Sequence, residues 1–98
     1  MSIDGEGDSP QSPLGDIAIF PNPMSISGNV NLNLVRQANV TLEVYDINGK
    51  LVMSSNRGQL NSGQQTLEFG VDELTNGTYI LNVIMDEYNE TGRFVIMK

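Results

Sequence analysis

The 98-residue chain contains no cysteine and no histidine. Without cysteine there is no disulfide staple and no thiolate to serve as nucleophile or ligand. Without histidine the commonest general base, the usual partner of a nucleophilic serine and the commonest metal ligand are all missing. No Cys or His cluster offers a zinc site, and no Gly-rich phosphate loop precedes a helix. The acidic pairs Asp72-Glu73 and Asp86-Glu87 sit beside turn signals. Adjacent residues in extended chain point apart, so they read as solvated loop charges rather than a carboxylate dyad. The inventory predicts neither enzyme nor metal site, and it calls for no cofactor.

Basic residues are scarce, with 5 Lys and Arg against 12 Asp and Glu, for a net charge of −7. This balance disfavours nucleic acid and anionic membrane surfaces. It favours solubility and monomeric behaviour. No apolar run approaches the roughly 20 residues of a helical membrane span. Met1-Ser2-Ile3 leads straight into Asp4-Gly5-Glu6-Gly7-Asp8, with no secretory leader. Met1 reads as the start of a piece taken from a longer parent, which leaves the parent's targeting open.

Residues 1–15 carry three acids, three glycines and two prolines, with Met1, Ile3 and Leu14 the large apolar groups. Such a stretch buries too little apolar area to offset its ordering entropy, and we read it as a flexible linker. Asp4, Glu6 and Asp8 alternate like the start of a calcium loop. The later bidentate Glu and the flanking helices are missing, so a solvated linker is the better reading.

From residue 16 the texture changes to short alternating runs. Val30, Leu32 and Leu34 alternate with asparagines, and Val40, Leu42 and Val44 with Thr41, Glu43 and Tyr45. Tyr79, Leu81, Val83 and Met85 oppose Ile80, Asn82, Ile84 and Asp86, while Phe94 and Ile96 oppose Val95 and Met97. Period two places alternate side chains on one face of a strand. Turn signals fall between the runs, at Pro21-Asn22-Pro23, Ser27-Gly28, Asn48-Gly49, Ser62-Gly63, Asn76-Gly77 and Asn89-Glu90. The pattern predicts an all-β domain over residues 16–98, an Ig-like antiparallel β-sandwich of about seven strands. The expected strands are 16–20, 28–35, 39–46, 50–57, 64–69, 78–86 and 91–97.

Three elements are more specific. In Phe20-Pro21-Asn22-Pro23 both prolines lack an N–H and fix φ, so the segment should end the first strand as a stiff corner. In Tyr45-Asp46-Ile47-Asn48-Gly49-Lys50 the Asp and Gly fit a type I turn with a bulge, closing a hairpin. Leu74-Thr75-Asn76-Gly77-Thr78-Tyr79 resembles a tyrosine corner, in which a buried phenol bonds backbone a few residues upstream. Three Asn-x-Thr triplets, at Asn39, Asn76 and Asn89, lie at expected strand ends, where turn chemistry is the better reading than glycan attachment.

The order of these elements, closed by Thr91-Gly92-Arg93-Phe94-Val95-Ile96-Met97-Lys98, resembles the type A carboxy-terminal sorting domain of the type IX secretion system of Bacteroidota. The resemblance covers about Ile17 to Lys98. It implies an Ig-like domain at the end of a larger secreted or surface protein, reached through the periplasm and across the outer membrane. It implies as partners the outer-membrane translocon with its associated shuttle, a sortase-like surface peptidase and a covalently linked amino-terminal cargo. By position, Pro21, Asn22 and Pro23 match the first motif, and Asp46, Gly49 and Lys50 the hairpin. Leu74, Gly77 and Tyr79 match the later turn, and Gly92, Arg93, Phe94, Val95, Ile96 and Lys98 the last strand. Asn76 stands where the family often has proline. Cleavage is expected in the stretch before Asp16, from Ser9, Pro10, Gln11, Ser12 and Pro13 to Leu14 and Gly15, since a protease needs extended, unpacked chain. The last strand is expected to end freely at Lys98, and an edge position would let its unpaired backbone groups be read by strand addition.

The rival class is an Ig-like or fibronectin-like accessory module, such as a carbohydrate-binding domain. Glycan platforms present exposed aromatics, and the chain has only 3 Tyr and 3 Phe. By alternation Phe69, Tyr79 and Phe94 point inward, which leaves Tyr45 and Tyr88 as the exposed candidates.

Overall fold

The structure, a computed structural model, describes residues 17–98. The expected linker at 1–15 and the cleavage region Ser9 to Gly15 lie outside the described residues. The described residues form seven strands and no helix. They are β1 (Ala18–Phe20), β2 (Ser27–Leu34), β3 (Ala38–Asp46), β4 (Leu51–Leu60), β5 (Gly63–Gly70), β6 (Gly77–Met85) and β7 (Tyr88–Ile96). Two antiparallel sheets result, one ordered β1-β2-β5 and the other β4-β3-β6-β7. The fold is the expected Ig-like sandwich.

The inward apolar positions of the two sheets make one core. Val30, Leu32 and Leu34 of β2 join Val40, Leu42 and Val44 of β3, Leu81, Val83 and Met85 of β6, and Phe94 and Ile96 of β7. Each is essentially removed from water, and no polar or charged residue among the described ones is buried. Removing about a dozen such side chains from water, at ~1.5–3 kcal/mol each, drives the two sheets together. Phe94 ties the layers through its ring. It lies edge-on to Phe69 of β5 at 5.6 Å between centroids and stacks on Tyr79 of β6 at 5.8 Å.

Local turn chemistry decides which strands share a sheet. The tight turn after Asp46 keeps β4 hydrogen-bonded to β3, from Tyr45 opposite Leu51 to Ala38 opposite Leu60. Asn61 and Ser62 then carry the chain to the opposite sheet, where β5 pairs with β2. The expected end of β4 at residue 57 is corrected: a bulge leaves Arg57 unpaired between Asn56 and Gly58, and the strand continues to Leu60. The bulge breaks the alternation, which is why the pattern stopped there. The turn expected at Asn89-Glu90 is also corrected. Met85 pairs with Tyr88, so the two-residue loop is Asp86-Glu87 and both Asn89 and Glu90 lie within β7. Asp86 takes φ +54°, as the first position of such hairpin loops requires and as Asp tolerates. Its carboxylate is not merely solvated. Oδ1 accepts the Asn39 N–H at 3.0 Å while the Asp86 N–H donates to the Asn39 carbonyl at 2.9 Å, which ties the loop to the start of β3.

Candidate functional site

Four sequence-distant segments meet at one end of the sandwich. Register places Asp46 beside Tyr79, Tyr79 beside Phe94 and Gly77 beside Ile96. The β3–β4 turn, the start of β6 and the end of β7 are therefore neighbours. The corner after β1 joins them, because Met24 runs parallel to Ile96 as an isolated bridge. At the other end lie Arg36, whose guanidinium sits 5.7 Å from the Tyr88 ring centroid, and the Asp86-Glu87 loop.

The proline corner leaves the sheet as expected, with Pro21, Asn22 and Pro23 exposed. It does more than end a strand. The Val95 N–H donates to Asn22 Oδ1 at 2.9 Å, the Met24 N–H donates to the Val95 carbonyl at 2.9 Å, and the Met97 N–H donates to the Met24 carbonyl at 2.9 Å. The Met24 side chain drops into the core at 1% exposure, in space that the missing Cβ of Gly28 leaves open. Met24 was not legible in advance: a lone apolar residue outside any alternating run carries no periodic signal.

These bonds modify the expectation of a free last strand. Strand β7 does lie at a sheet edge. Its outward backbone groups at Val95 and Met97 are already occupied by the corner. Among the described residues, no strand pairs with the outward edge of Asn89, Thr91 and Arg93. Lys98 is fastened as well: its N–H donates to Asn76 Oδ1 at 3.0 Å and its Nζ to the Asp72 carbonyl at 2.8 Å. Asn76, set aside as a departure from the family pattern, thus holds the last residue.

The Asp46 turn forms as expected. The Gly49 N–H donates to the Asp46 carbonyl at 3.0 Å, and Asp46 Oδ1 accepts the N–H groups of Asn48 at 2.9 Å and Lys50 at 3.0 Å. Gly49 sits at φ +84°, where a side chain is strained. The Lys50 side chain is exposed. The tyrosine corner is also present: buried Tyr79 donates its hydroxyl to the Thr75 carbonyl at 2.8 Å, and Leu74 packs half-buried against the core. In β7, Phe94 and Ile96 are core residues, whereas Arg93 is exposed and Val95 half-buried on the outer face. Gly92 lies inward and toward the middle of the strand, under the tips of Ile19 and Ile17. The motif residues therefore divide into a folding set and an exposed set around the corner, the turn and the strand end.

Chemically the site is quiet. Among the described residues no group of three or more acidic or other ligating side chains is placed to hold a metal ion. The Tyr45 hydroxyl donates to Glu43 Oε1 at 2.6 Å, and that bond, with burial and the nearby negative charge, raises its pKa above the usual value of 10.0. The two tyrosines expected to be exposed are both half-buried. Tyr45 faces outward near the motif end, whereas Tyr88 packs against the core at the other. They form no shared platform for a sugar.

A family model described as the secretion system C-terminal sorting domain matches residues 18–97. The chain belongs to this family. The type IX resemblance drawn from its motifs is thereby borne out, and the match spans every described strand. No curated protein matches the chain. A sorting domain of this family is a signal for export to a secreted or cell-surface destination, and its family is not an enzymatic one.

Proposed function

We propose that this sorting domain is read in its folded state by the outer-membrane type IX translocon and its shuttle, which carry an amino-terminal cargo to the surface. A sortase-like peptidase then severs the domain from the cargo within Ser9 to Gly15. The observation that carries the reading is the convergence of four motif segments on one end of the sandwich, bound together by Asn22 to Val95, Met24 to Val95 and Met97, and Asn76 to Lys98. An unfolded signal read along the chain has no need of bonds between residues 73 positions apart. A composite surface depends on them.

Within this reading the exposed residues Pro21, Asn22, Pro23, Lys50 and Arg93 contact the machinery. Asp46, Gly49, Leu74, Gly77, Tyr79, Gly92, Phe94, Ile96 and Lys98 shape or hold the surface. A secreted reporter joined to residues 1–98 tests the proposal. Surface delivery in a host with type IX machinery, and periplasmic retention in the same host without it, is the expected result. Equal delivery in both hosts refutes it.

A further inference from the structure

The outer face of the four-stranded sheet is divided in two. Its half toward the Asp86 loop is mostly polar: Glu43, Ser54, Asn82 and Thr91 form one row across the four strands, the next row is Asn56, Thr41, Ile84 and Asn89, and Asn89 Nδ2 donates to Asn82 Oδ1 at 2.9 Å. Its half toward the motif end is apolar. The row there reads Leu51, Tyr45, Ile80, Arg93, followed by Thr78 beside Val95, with Ile47 at the turn and Met97 past the strand end. Ile47 is 75% exposed, Met97 63% and Leu51 45%. The sequence carries the same mark. Tyr79 to Leu81 and Phe94 to Met97, the parts of β6 and β7 nearest this half, are apolar throughout. Near-continuous apolar runs belong to strands covered on both faces. Here one face is the core, and on the other Ile47, Leu51 and Met97 are exposed.

The charges around this half-face are also selective. On a chain of net charge −7, two of its five cations, Lys50 and Arg93, border it; Lys98 Nζ is bound to the Asp72 carbonyl, and Arg36 and Arg57 lie elsewhere. The Glu43 carboxylate beside it is engaged by the Tyr45 hydroxyl, and Asp46 by its own turn. An apolar centre with the exposed cations Lys50 and Arg93 at its rim, on an otherwise acidic protein, is complementary to an apolar surface bordered by carboxylates.

We infer that this half-face, from Ile47 and Leu51 across Ile80 to Val95 and Met97, docks onto a protein surface of the export machinery that has an apolar centre and an acidic rim. The inference rests on the sorting reading and specifies which surface of the domain is read. It is tested in the reporter fusion with Leu51→Asp, Met97→Asp and Arg93→Glu, and with Val35→Asp, an exposed apolar residue at the far end, as the control. The melting temperature of the 98-residue chain is measured for each variant. Loss of a well-packed anchor weakens an interface by roughly tenfold or more. We expect the three face variants to be delivered about tenfold less, with melting temperatures near the parent's, and Val35→Asp to be delivered like the parent. If the parent fusion is itself not delivered, the sorting reading fails and this inference with it. If the parent and folded face variants are delivered equally, the docking face alone is wrong. A photocrosslinking residue at Ile47 identifies the occupant. Crosslinks to an acidic surface of an outer-membrane machinery protein support the assignment. Crosslinks confined to a second copy or to this chain's own residues overturn it.

Discussion

Tyr79 carries two duties in one side chain. Its ring stacks on Phe94 in the core, and its hydroxyl closes the loop that precedes β6 by bonding the Thr75 carbonyl. Thr75 also brings its own hydroxyl to 3.3 Å from the same phenol. That loop in turn presents Asn76 to the last residue. Tyr79→Phe keeps the ring and removes only the hydroxyl, leaving the Thr75 carbonyl without this donor. A hydrogen bond of this kind contributes about 0.5–1.5 kcal/mol net. Chemical denaturation should show a loss of that size with an unchanged slope against denaturant, the sign that stability and not compactness has changed. An unaltered midpoint would show that the corner holds by packing alone. The same residue marks the limit of reading function from motifs. Tyr79 matches the family pattern, yet it is 6% exposed, so its place in the pattern is explained by folding before any partner is invoked.

Among the elements, β7 is the one whose environment the sequence described least well. Its alternation placed Phe94 and Ile96 inward, and they are fully buried. Its edge position and its strap were not legible, because the strap comes from Asn22 and Met24, more than 70 residues away and outside any periodic run. Alternation reports which face a residue takes, not which strand lies beside it. Hairpins were legible wherever the turn chemistry was strong, as at Asp46 to Lys50. At Asp86-Glu87 the chain turns without a glycine, while the turn-favouring Asn89 lies inside β7, so composition does not mark this hairpin. The bulge at Arg57 hid the last residues of β4 for a similar reason: it shifts the phase of the pattern without ending the strand. The candidate site was legible as a set of segments. Their meeting at one end was not, since it depends on bonds across the fold. Asn22→Ala tests the strap. It removes the acceptor for the Val95 N–H and leaves the backbone bonds of Met24 in place. In hydrogen exchange the Val95 amide should lose protection. The Phe94 amide, which alternation directs toward β6, should not. If both amides exchange faster, the whole strand has loosened and Asn22 is part of the fold's general stability.

At the scale of the molecule, the two sheets share a single core, and the chain has no cysteine with which to staple them. A small domain of this kind is expected to unfold as one unit. This bears directly on how the carboxy-terminal end is tested as a signal. Deleting Phe94 to Lys98 removes two fully buried side chains, one of them the ring between Phe69 and Tyr79. Truncating a buried Phe alone costs about 3–5 kcal/mol, and the total stability of a domain is only about 5–15 kcal/mol. The five-residue deletion should therefore lose its cooperative melting transition, and retention of its cargo reports unfolding as readily as lost recognition. Deleting only Met97 and Lys98 is the cleaner cut. It leaves Phe94 and Ile96 in the core, and it removes the bonds from Met97 to Met24 and from Lys98 to Asn76 and Asp72. These are partly exposed bonds at an edge, so the melting transition should survive at a lower temperature. Retention of the reporter by this folded two-residue deletion would place the signal in the surface at the strand end. Normal delivery would move it to the Asp46 turn and to the corner, which keeps its bonds from Val95 to Asn22 and from Met24 to Val95.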